Sequence, residues 1–187
     1  MPFSVRIAEE LGLLLMGRTG GRRDFARLCG LLSEVPSGEP VLLDFDKVQV
    51  VTASWVNAAL VPLMQWASSE QTNIFPLILN VSADSIDELR LVAENSHLCF
   101  LIASNESPPK SAKLVGSLDA GQLDTLKTVL KMPEVTGAEL HSKRKDIQAT
   151  AWNNRLKDLH GKRLLRRQKR GREQVYSPVV KEITVHG

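Results

Sequence analysis

Aromatic side chains are scarce, with one Tyr, three Trp and five Phe in 187 residues. Readers of single-stranded RNA stack bases on aromatic platforms set among their cations, and this chain has few aromatics near its cations. Cysteine is almost absent too. Cys29 and Cys99 stand in separate apolar segments without CxxC spacing, which points to neither a disulfide framework nor a zinc site and leaves two free thiols acting as small hydrophobes. His97, His141, His160 and His186 are scattered. With no nucleophile beside a base in a motif and no metal-ligand spacing, neither catalysis nor a cofactor or metal is expected. Long apolar runs are missing as well: residues 11–16 are too few for a signal core or a membrane span. A cytoplasmic setting with no membrane partner is therefore expected. No internal repeat occurs, and no heptads support a coiled-coil dimer.

Charge is present but unevenly placed. The chain as a whole is +3. Residues 1–109 hold 7 Lys/Arg against 13 Asp/Glu and residues 110–187 hold 17 against 8, balances of −6 and +9. That asymmetry suggests a neutral-to-acidic domain over 1–104, a linker over 105–116 around Pro108-Pro109, and a polyanion-binding domain over 117–187.

In the acidic half, Val41-Leu42-Leu43-Asp44-Phe45 follows a Pro/Gly turn and reads as a buried strand, as do residues 75–81 and 98–103. Helical stripes lie between them, at residues 24–34 and after Ser85-x-x-Glu88. Alternating strands and helices imply an α/β layer with mixed or parallel pairing. The helix over 53–66 is apolar nearly all round and contains Pro62, so it is either sandwiched in the core or used in part as a contact surface. Gly17-Arg18-Thr19-Gly20-Gly21-Arg22-Arg23 admits two readings, a flexible turn into the next helix or a cradle for a phosphate.

The stretch L-L-D-F-D-K-V-Q-V-V-T-A-S-W-V-N-A-A-L, residues 42–60, resembles the strand, turn and following helix of STAS-like domains, small α/β modules related to anti-sigma-factor antagonists. The resemblance extends over roughly residues 4–104. Antagonists of that kind carry Asp-Ser-Ser/Thr-Gly at the helix start and are switched by phosphorylation of its serine. This chain has Thr52-Ala53-Ser54-Trp55 there, without the aspartate and the glycine. Ser54 remains a candidate phosphate acceptor, or else a capping or packed small residue, and Trp55 a candidate partner contact.

The basic half opens with a helix capped by Asp119 and carrying Leu123, Leu126, Val129 and Leu130 on one stripe. Thr136-x-x-Glu139 is a capping box that starts a second helix. In the third, Trp152, Leu156 and Leu159 face inward while Thr150, Asn154 and Lys157 centre the opposite side, with Asn153 at its edge. A side-chain amide can bond adenine at two atoms. Residues 164–178 then read as a hairpin turning at Gly171 and carrying Arg166, Arg167, Lys169, Arg170 and Arg172, cations that gain from meeting phosphates.

This order resembles the winged helix-turn-helix of transcription regulators of the multiple-antibiotic-resistance type. Thr136-Gly137-Ala138-Glu139-Leu140 matches the positioning helix, residues 150–160 the recognition helix and 164–178 the wing. The expected architecture is an α/β domain with a mixed sheet, followed by a small α+β winged helix-turn-helix domain. The expected function is binding of double-stranded DNA by a cytoplasmic, bacterial-type regulator. Thr150, Asn153, Asn154 and Lys157 would reach bases or backbone, and Arg166, Arg167, Lys169, Arg170 and Arg172 the phosphates or minor groove. The first domain would dock a protein partner, sense, or pair two copies into a homodimer. The competing expectation is a partner-switch factor whose basic part contacts an acidic protein or RNA.

Overall fold

The apolar runs at 41–43, 75–79 and 99–103 lack the polar alternation of a strand with one wet face, and continuous runs of this kind mark strands covered on both sides. The structure, a computed structural model that describes residues 2–106 and 108–185, shows where the two covers come from. His186 lies outside the described residues.

The first half alternates β1 (Phe3–Arg6), α1 (Ile7–Leu11), β2 (Leu14–Leu15), α2 (Arg18–Leu32), β3 (Pro40–Asp44), β4 (Val50–Val51), α3 (Ala53–Ala67), β5 (Phe75–Leu79), α4 (Ala83–Ser96), β6 (Cys99–Ala103) and β7 (Ser111–Gly116). The second half comprises α5 (Ala120–Val129), α6 (Gly137–Lys143), α7 (Ala149–Gly161), β8 (Leu165–Arg170), β9 (Glu173–Pro178) and β10 (Glu182–Val185). Six strands form a mixed sheet in the order β1-β3-β5-β6-β7-β10. Its pairs are parallel except for the antiparallel β6–β7. The protein is thus of mixed α/β class, as the alternation of strands and helices requires.

Successive side chains point to opposite faces of a strand, and the two cores divide accordingly. Val41, Leu43, Ile78, Phe100 and Val115 face α2, α3 and α4. Leu42, Leu77, Leu79, Cys99, Leu101 and Leu114 join a second core with Leu126, Trp152, Leu156, Leu159 and Tyr176 of the C-terminal elements. The C-terminal half therefore covers one face of the N-terminal sheet. The segment expected as a linker, 105–116, is a strand from Ser111 onward, and β10 pairs with it in parallel. The Pro108-Pro109 signal marks a loop only, because Ser111–Gly116 follows as a strand whose Ala112, Lys113 and Leu114 have sheet partners on both sides.

The glycine-rich stretch is neither a free turn nor an open cradle. Gly17, at φ 73°, precedes α2, and the remaining glycines lie in its first turns. A Cβ on Gly21 would stand 2.7 Å from the Ala58 Cβ and 2.9 Å from the Trp55 carbonyl oxygen, so this residue permits the close crossing of α2 and α3. Trp55 is fully buried and its Nε1 donates to Asp24 Oδ2 at 2.8 Å. It is a core residue and cannot be the partner contact expected from the sequence. Among the described residues, no helix is long and apolar enough to cross a membrane.

Candidate nucleic-acid interface

Both capping boxes of the C-terminal half form. Thr136 Oγ1 accepts from the Glu139 N–H at 3.2 Å while Glu139 accepts from the Thr136 N–H at 2.7 Å, fixing where α6 begins. Asp119 and Gln122 do the same for α5. The charged turn after α6 is anchored by Arg144, which bonds Asp124 at 2.7 Å and stands 5.5 Å from the centre of the Trp152 ring. Arg155 lies 5.7 Å from that same ring. With Trp152, Leu156 and Leu159 fully buried, Thr150, Asn153, Asn154 and Lys157 are left exposed on the outer side of α7.

The hairpin leaves α7 almost at once. Arg170 pairs with Glu173 across a two-residue loop, Gly171-Arg172, with Gly171 at φ 61°. Positive φ at the first loop position suits a type II′ turn, whose twist matches the strands it joins. Val135, just before α6, exchanges two 2.8 Å backbone hydrogen bonds with Tyr176 and adds a third line of chain to the hairpin. Helix and hairpin are therefore tied into one unit at two places, through α7–β8 and through Val135.

Between them lies a concavity of about 450 Å³. Asn153, Asn154 and Lys157 line it from α7, Arg167, Arg172, Glu173, Gln174 and Tyr176 from the hairpin, and Thr136, Gly137 and Ala138 from the start of α6. Three cations face one carboxylate, so the cavity favours an anion. Lys157 and Arg172 make no ion pair or side-chain hydrogen bond among the described residues, and Arg167 stands directly opposite Tyr176 across the hairpin. Asn153 rests against Gly137, where a Cβ would collide with its Oδ1. Its amide is thus partly used in the crossing of α6 and α7, and Asn154 is the freer of the two.

The chain matches no protein-family model, no curated protein and no solved structure.

Other expected residues fall outside the concavity. Arg170 donates to Glu134 at 2.6 Å; the hydrogen bond raises the pKa of the arginine and lowers that of the glutamate. That pairing takes Arg170 out of the set of free phosphate contacts. Arg166 is half-buried and its Nε has no hydrogen-bond partner among the described residues. Lys169 turns to a second groove shared with Glu70, Asn73 and His160, which Arg167 borders from the concavity side. Thr150 is exposed in the first turn of α7 but does not line the cavity.

Ser54 lies on the other side of the sheet, near the N-terminus of α3, with its hydroxyl 3.1 Å from that of Thr52. Thr52 caps the helix, and Glu88 Oε2 accepts from the Ala53 N–H at 2.6 Å. A carboxylate already occupies the helix N-terminus, so a phosphate on Ser54 would meet like charge there.

Glu173, Gln174 and the Thr136-Gly137-Ala138 corner were not anticipated. Gln174 could have been found from the two-residue loop, whose register sets it opposite Lys169. Nor was the role of Arg163 anticipated. Only 2 % exposed, it donates to the Ala67 carbonyl at 3.2 Å, Asn73 Oδ1 at 3.1 Å and the His160 carbonyl at 3.0 Å, and lies 4.7 Å from the centre of the Phe75 ring.

Proposed function

We propose that this chain is a DNA-binding protein of the regulator type, in which α7 and the β8–β9 hairpin act as recognition helix and wing of a winged helix-turn-helix. The supporting observation is that Asn154, Lys157 and Arg172 open onto one concavity between a helix and a hairpin held rigidly together. In that reading Asn154 meets base edges, Lys157 and Arg172 meet phosphates or the minor groove, and the α6 corner approaches the backbone. The strands and helices of the first half are the STAS-like part.

Fluorescence anisotropy with duplex DNA at several salt concentrations tests this. Log affinity falls linearly with log salt, and the Lys157→Ala/Arg172→Ala variant loses about 2 from the slope, near 0.9 per phosphate contact removed. Arg170→Ala, whose guanidinium is held by Glu134, changes the slope much less. Asn154→Ala lowers affinity for a preferred sequence by about 5- to 150-fold, the equivalent of ~1–3 kcal/mol, and leaves random duplex nearly unaffected. A flat salt response, or a double variant that binds as the parent does, rules the interface out.

A further inference from the structure

The helical layer opposite the concavity carries a surface that its own fold leaves uncovered. α3 is the most apolar helix of that layer. Its inner side is buried, but Ala58, Val61 and Pro62 are only half-buried. With Arg18, Arg22 and Phe25 of α2 they line an open groove of about 620 Å³. Arg18 and Arg22 are exposed and form no ion pair among the described residues. On the far side of α3 lies α4, where Leu91 is 53 % exposed with Asp84 and Asp87 on the same stripe, Asp87 sharing its carboxylate with Arg90 of the same helix.

The two flanking helices are complementary. α2 holds four arginines and one aspartate, and α4 holds four acids and one arginine, balances of +3 and −3. Their outer stripes also match in spacing. Arg18, Arg22 and Phe25 stand at i, i+4 and i+7; Asp84, Asp87 and Leu91 stand at i, i+3 and i+7. Each reads charge, charge, apolar from the helix N-terminus. α2 and α4 lead into β3 and β6, strands that run the same way, so the two charged ends lie at the same end of the layer.

We infer that this layer is a homodimer interface, with a two-fold axis running along α3 that sets α2 of each copy against α4 of the other. Arg18 and Arg22 then meet the partner copy's acidic stripe, Phe25 meets its exposed leucine, and the half-buried faces of the two α3 helices pack together. A two-fold axis lying in the interface at right angles to α3 would instead bring α2 against α2, cation against cation. Helices of 15 residues are ~22 Å long. Three of them side by side at ~10 Å spacing present roughly 550 Å² per copy, near 1,100 Å² in total and at the low end for specific association. Self-association across an interface of that size is weak, and with ion pairs on both flanks it falls further as salt rises. The inference stands apart from DNA binding, since no residue of the concavity takes part.

Sedimentation of the full chain up to roughly 200 µM tests it. The parent shows a monomer–dimer equilibrium. Arg18→Glu/Arg22→Glu and Asp84→Arg/Asp87→Arg each lose at least tenfold in association, their circular dichroism staying that of the parent because all four side chains are exposed. Mixed one to one, the two variants dimerise again, since each reversed helix now faces its opposite charge. A parent that stays monomeric throughout, a variant that pairs as well as the parent, or a mixture that fails to associate overturns the homodimer. In the first and last cases the groove is left to a different protein.

Discussion

Replacing Arg163 by alanine lowers the unfolding free energy by roughly 1.5–3 kcal/mol, the range for losing hydrogen bonds made by a charged group to neutral acceptors. For a chain of this size that is a drop of roughly 3–12 °C in melting temperature. The cause is specific. Arg163 ends α7 in the left-handed region, φ 60°, where glycine is usual. The Leu164 N–H bonds the Leu159 carbonyl and the Arg163 N–H bonds that of His160, both at 3.0 Å, which is the Schellman pattern. The backbone would therefore accept glycine more readily than arginine. The side chain earns the position by crossing from the end of α7 to the end of α3 and bonding Ala67, Asn73 and Ile74. Truncation removes those three bonds, though the Ala67 carbonyl keeps the one from the Ile74 N–H at 3.1 Å. Arg163→Gly separates the two effects: it relieves the left-handed strain, worth roughly 1 kcal/mol, yet forfeits the same contacts, so it stays well below the parent. Urea unfolding of the three proteins decides the matter. A loss under 1 kcal/mol for alanine, or a glycine variant as stable as the parent, sinks this account.

Arg163 also shows what the sequence could and could not reveal. Local signals were readable wherever a few neighbouring residues decide the outcome. Thr136 and Glu139 announce the start of α6 because a capping box closes within four residues, and Gly171 announces the hairpin because its loop needs positive φ. The inward set Trp152, Leu156 and Leu159 follows from helical period alone, and it fixes which side of α7 faces solvent. Long-range partners were not readable. The charge boundary near residue 110 suggested two units on a linker, but the absence of polar alternation in Leu77 and Leu79, or in Cys99 and Leu101, was the better guide. Those side chains need a cover, and the C-terminal half supplies it. Trp55 was misplaced for a related reason: an all-apolar helix does not disclose which side meets the sheet, and a buried Asp24 as acceptor for its indole has no signature in spacing. Arg170 stands among five cations in seven residues, and nothing local distinguishes it from Lys169; Glu134, which binds it, is 36 residues away.

Acid acts on the same junction. His160 is buried, and burial first, then the Arg163 guanidinium, holds its pKa down at about 4 from the ordinary 6.5. Its ring is bonded on both sides: Nδ1 lies 2.9 Å from the Leu165 carbonyl and Nε2 3.1 Å from Arg163 Nη2. A carbonyl can only accept and a guanidinium only donate, so the ring is neutral, with its proton on Nδ1. Protonating Nε2 would aim a second donor at the guanidinium. Between pH 6.5 and about 4 the unfolded chain therefore binds a proton that the folded chain refuses. Stability from this group is complete above 6.5 and drains away as pH falls to about 4, a loss of about 3 kcal/mol. Carboxylates titrate in the lower part of the same window, so the comparison is with His160→Gln, whose amide oxygen can still accept from Arg163. Urea unfolding across the window gives a steeper acid loss for the parent than for the glutamine variant, and the gap between the two curves is the histidine's share. Parallel curves would mean that His160 protonates inside the fold as easily as outside it. Arg163→Ala should narrow the gap as well, since it removes the nearest cation and the donor to Nε2; the histidine then titrates closer to its usual value and the acid dependence shifts upward in pH.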